Sequence, residues 1–67
     1  MSFLGFFKAT IENWNKLEKK TPIKIKEMKE ALRQYEWSKW CDDFINEDEQ
    51  EVKYVERQMK KIYKELY

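Results

Sequence analysis

Lys19-Lys20-Thr21-Pro22-Ile23-Lys24 is the stretch that decides the fold. Proline lacks a backbone N–H and fixes φ at about −65°, which suits the first position of a helix and disrupts the middle of one. The residue before it is driven out of the α region, so a helix arriving from the N-terminal side must stop by Lys20. Thr21 carries a hydroxyl that can accept from an orphan N–H of the following helix. One helix ends and another begins across a very short link, which predicts antiparallel packing of the pair.

Upstream of this link, Phe3, Phe7, Thr10, Ile11, Trp14 and Leu17 recur at spacings of three and four and form one stripe of a helix. Lys8, Glu12, Asn15, Lys16 and Lys19 take the other side. Gly5 weakens the first turn, so regular helix is expected to begin nearer Phe6. Downstream, the residues from Pro22 to Ile45 are helix formers throughout, but the apolar stripe changes phase. Ile25, Met28, Leu32 and Tyr35 lie on one side, and Trp37, Trp40, Cys41 and Phe44 on nearly the opposite one. Either the helix breaks at Glu36–Ser38 with Ser38 as a cap, or one unbroken helix presents two faces to two neighbours. With no Gly or Pro at the junction, the unbroken helix is the preferred reading.

Asn46 followed by Glu47, Asp48 and Glu49 reads as a turn and the acid-rich start of a third helix. Val52, Val55, Met59, Ile62 and Leu66 then repeat at three and four, a seam too short for a free-standing coiled coil and suited to a bundle. The expectation is an all-α protein, a single small domain over residues 1–67. Its three helices, about 3–20, 22–45 and 47–66, form an antiparallel hairpin extended to a three-helix arrangement with a long central helix.

Composition removes several functions. The chain has no His, one Cys and one Gly. Catalytic triads, phosphate-cradling loops and the usual partner for a thiol nucleophile therefore lack their parts, and the expectation is a protein without catalytic activity or cofactor. Asp42, Asp43, Glu47, Asp48, Glu49 and Glu51 form an acidic run, but a cation loop wants alternating oxygen ligands and a turn glycine. The run reads instead as a solvated helix junction. A lone cysteine allows no internal disulfide, which places the chain in a reducing compartment, cytoplasm or organelle interior. No stretch reaches the roughly 18 apolar residues of a membrane span, and the opening Phe3-Leu4-Gly5-Phe6-Phe7 lacks the basic leader of a secretory signal.

What remains is an excess of rings. Three Trp, four Tyr and four Phe, at about 150–250 Å² each, ask for roughly 1,650–2,750 Å² of cover. So small a core cannot supply all of it. The expected function is a protein-protein interaction module: an accessory subunit, adaptor or inhibitor that docks on a larger protein through aromatic anchors. The candidate anchors are Phe3, Leu4, Phe6, Phe7, Trp37, Trp40 and Phe44, and a second copy of the chain is a further candidate partner. The second reading is a small nucleic-acid-binding regulator using Lys16, Lys19, Lys20, Lys24, Lys26, Lys29 and Arg33, although the net charge of only +1 opposes it. The third is peripheral membrane contact through the N-terminal aromatic segment.

Trp37-Ser38-Lys39-Trp40 followed by Asp42-Asp43 and a charged helix loosely resembles the C-terminal part of the ubiquinone-binding-protein-type subunit of the mitochondrial cytochrome bc1 complex. That family is longer and has further aromatic and proline positions after the acidic run that this chain lacks. The resemblance implies an accessory subunit of a large assembly and assigns no functional residue.

Overall fold

A computed structural model describes residues 3–42 and 44–67. Three helices, α1 (Phe3–Lys16), α2 (Pro22–Trp40) and α3 (Glu49–Leu66), pack so that each touches the other two. The all-α three-helix expectation holds, and the differences lie in where each helix begins and ends.

The junction between α1 and α2 forms as its residues dictate. Thr21 is extended, with φ −68° and ψ 160°, and its hydroxyl accepts from the Lys24 N–H at 3.3 Å. Pro22 takes the first helical position, where its missing N–H costs nothing. α1 stops at Lys16, not Lys20. Its last turn tightens through a bond from the Leu17 N–H to the Trp14 carbonyl, which lets Leu17 pack against the core. At its other end α1 is regular from Phe3. Gly5 is exposed with open space around it, so its entropic cost is carried inside the helix and does not delay its start.

The core is built from Leu4, Phe7, Ile11 and Trp14 of α1, Met28, Ala31, Leu32 and Tyr35 of α2, and Val55, Met59 and Ile62 of α3. The α1 stripe is rotated relative to expectation. Leu4 takes the inward place given to Phe3, and Thr10 turns its hydroxyl back to donate to the Phe6 carbonyl at 2.8 Å. Trp14 is sealed in, and its indole N–H finds no acceptor there. Ser38 is buried inside a helix that runs unbroken through Glu36–Ser38, so it caps nothing.

α2 ends at Trp40, five residues before the expected Ile45. Asp42 adopts a left-handed backbone with φ 56° and reverses the chain. Continuing the helix would have left Phe44 on the outer side. The reversal instead packs it on Tyr35 and edge-on to Phe7, with centroids 6.0 Å and 6.2 Å away. Covering about half a ring gains roughly 2 kcal/mol at 25 cal/mol/Å², which exceeds the roughly 1 kcal/mol of a left-handed aspartate. α3 is capped by Asp48 rather than Asn46, its carboxylate accepting from the Gln50 N–H at 2.8 Å. Glu51 pairs with Lys8 at 3.5 Å and ties α3 to α1.

Candidate functional site

The C-terminal half of α2 places Trp37 and Trp40 one turn apart on the side away from the core. Trp37 is 72% exposed and Trp40 87%. Because α1 runs antiparallel to α2, its first residues lie beside this end. Phe3, Arg33, Gln34, Trp37, Ser38 and Cys41 line one shallow depression between the two helices. Arg33, Glu36, Trp37, Lys39 and Trp40 line a second that shares Arg33 and Trp37 with the first. The two depressions make one continuous face, aromatic in its middle and charged at its borders.

The seven candidate anchors divide. Phe3, Phe6, Trp37 and Trp40 are exposed, and the structure brings Phe3 and Trp37 together. Phe6 packs edge-on to Phe7, with centroids 5.5 Å apart. Leu4 and Phe7 are core residues, at 2% and 0% exposure, and are unavailable to any partner. A helix whose first two turns are almost wholly apolar must turn some of those residues inward, and these two face α2 and α3. Phe44 is half-buried, packed against the core from the α2–α3 connection and away from the face of Phe3 and Trp37. Of the acidic run, Asp43 lies outside the described residues.

Sequence reasoning missed several features. Cys41 is exposed and lines the same depression as Trp37, Ile45 is exposed in the α2–α3 connection, and Ile23 is exposed at the opposite end of α2. Lys53, Arg57, Lys60, Lys61 and Lys64 line up on the outer side of α3, with Glu56 among them. Their spacing of four, three, one and three was readable as a stripe. The expected basic region at 16–33 is partly occupied within the fold. Lys24 pairs with Glu27 at 3.7 Å, Lys20 sits 5.1 Å from the Trp14 ring, and Lys29 sits 4.8 Å from the Tyr67 ring.

Two titratable groups near these surfaces are perturbed. Burial, with a smaller contribution from the negative charge of Glu56, pushes the Tyr35 hydroxyl up to about 12. A hydrogen bond from Lys60 and the neighbouring charge of Lys39 hold the Glu56 carboxyl below its ordinary value. Glu56 thereby links α2 to α3, 3.8 Å from Lys39 and 3.2 Å from Lys60. Among the described residues, no helix is long and apolar enough to cross a membrane.

No family model, curated protein or solved structure matches the chain.

Proposed function

We propose that the chain is a non-catalytic protein-interaction module that docks through the face built from Phe3, Trp37 and Trp40. One observation carries the reading: two neighbouring tryptophans lie outside a core that already holds Phe7, Trp14 and Tyr35. Exposed indole has no structural use in this fold, and Trp is the residue most enriched among binding hot spots. Arg33, Lys39 and Glu36 border the rings and give the face the polar rim that selects partners. An accessory subunit or adaptor needs no more than this.

The test compares the tagged chain with its Trp40→Ala variant in the source cells. Proteins that co-purify with the wild-type chain should be lost with the variant, consistent with about 2 kcal/mol or more at a hot spot. The helical circular dichroism of the variant should be unchanged. An identical set of associated proteins in both samples would reject the reading.

A second reading is favoured by the basic stripe on α3, which suits a polyanion such as nucleic acid. Binding of that kind weakens steeply with salt, whereas aromatic docking does not.

A further inference from the structure

The inference rests on the docking reading and names its occupant. On the outer side of α2, Ile23, Lys26, Glu30, Arg33, Trp37 and Trp40 follow one another at intervals of three and four, and every one is exposed. That is the average spacing of about 3.5 residues found in a helix–helix seam. At about 100° per residue the six fall within an arc of roughly 100°. The arc lies opposite Met28, Leu32 and Tyr35, which are buried. α2 thus has two seams. One is covered by α1 and α3, and the other is bare.

The bare seam is complementary to itself when a second α2 is laid on it end for end. The two-fold axis then passes between Ala31 and Leu32, close to the middle of a helix that runs Pro22–Trp40. Ile23 meets Trp40 of the second copy, Lys26 meets Trp37, and Glu30 meets Arg33, and the symmetry repeats each pair. The pairs are an aliphatic side chain on an indole, an ammonium on an indole face and a carboxylate on a guanidinium. The parallel arrangement would instead oppose Glu30 to Glu30 and Arg33 to Arg33.

Two further observations agree. Turning the copies end for end sets the acidic α2–α3 end, with Asp42, Glu47 and Asp48, beside the Lys19, Lys20 and Lys24 end of the other copy. The exposed fractions of Trp37 and Trp40 leave about 400 Å² of ring per copy. That is half of the roughly 800 Å² each side gives to a standard interface. Ile23, 70% exposed, and the aliphatic stems of Lys26 and Arg33 add to it. We propose that the outer face of α2 is an antiparallel homodimer interface and that the partner of this face is a second copy of the chain.

The test is the mass of the 67-residue chain in solution, read by sedimentation equilibrium across a wide concentration range. The wild-type mass should rise from monomer to dimer with concentration. Glu30→Arg places arginine against arginine in both central layers, and Arg33→Glu places carboxylate against carboxylate. Each variant alone should lose tenfold or more in affinity. Mixed in equal amounts, the two variants oppose unlike charges in both layers and should recover the dimer as a heterodimer. Both positions are exposed, and circular dichroism should show each variant folded. A monomeric wild type at every concentration would overturn the proposal, as would single variants that dimerise normally or a mixture that stays monomeric. If the wild type is monomeric and Trp40→Ala still loses co-purifying proteins, the dimer fails alone. If that set is also unchanged, the docking reading fails with it.

Discussion

Phe44 stacks on Tyr35 with their rings 26° from parallel, and this contact explains where α2 stops. A residue from the connection closes the end of the core beside Phe7, and the helix gives up its last turn to let it in. Phe44→Ala should therefore destabilise the fold by about 2 kcal/mol, below the 3–5 kcal/mol of a fully buried ring. The shift of the urea midpoint, at unchanged slope, measures it.

The same reversal requires the left-handed backbone of Asp42. Glycine adopts that conformation at no steric cost, and it is the usual residue just past a helix end. Asp42→Gly should stabilise the chain by about 0.5 kcal/mol and raise the thermal midpoint by a few degrees. Scanning calorimetry reads the difference.

Stability should also fall in alkali. The hydroxyl of Tyr35 is held at about 12 against an ordinary 10.0. Below the ordinary value both states keep the proton. As pH rises from about 10 towards about 12 the unfolded chain loses it and the folded chain does not, so this contribution, about 1–2 kcal/mol after screening by solvent, disappears across that window. Tyr35→Phe removes the titrating group. The stability gap between the wild type and this variant should shift by about that amount between pH 9 and pH 12, seen in paired urea titrations.

Cys41 supplies a ruler for the antiparallel pair. It is exposed one residue beyond α2, so in the proposed dimer the two copies of it lie at opposite ends. At a rise of about 1.5 Å per residue and an interaxial distance of about 10 Å, their Cα atoms should be about 30 Å apart. Spin labels on Cys41 measure the separation directly. A parallel pair would bring them within about 15 Å.

Most of the helical scheme was legible because its signals are local. Thr21-Pro22 marks its junction without reference to anything distant, and the α3 seam from Val55 to Ile62 is buried as its spacing required. The end of α2 was not legible. Trp37, Trp40, Cys41 and Phe44 continue at helical spacing with no glycine or proline to stop them, and only the rings of Phe7 and Tyr35, remote in sequence, draw Phe44 back. The division of the N-terminal rings was hidden for a related reason. In Phe3-Leu4-Gly5-Phe6-Phe7 nearly every position is apolar, so the stripe has no polar edge to fix its phase until α2 and α3 are in place. The candidate face was half visible. The phase change foretold two outward tryptophans, while the contribution of Phe3 and Arg33 depends on how α1 lies across α2.

The unequal placement of the three indoles makes the chain its own optical probe. Trp14, sealed at 3% exposure, emits from an apolar setting and changes colour only when the bundle opens. Trp37 and Trp40 emit from water and yield to a dissolved quencher such as iodide, until something covers them. Unfolding and occupancy can thus be followed in one cuvette, on unlabelled material, by light from different parts of the same spectrum.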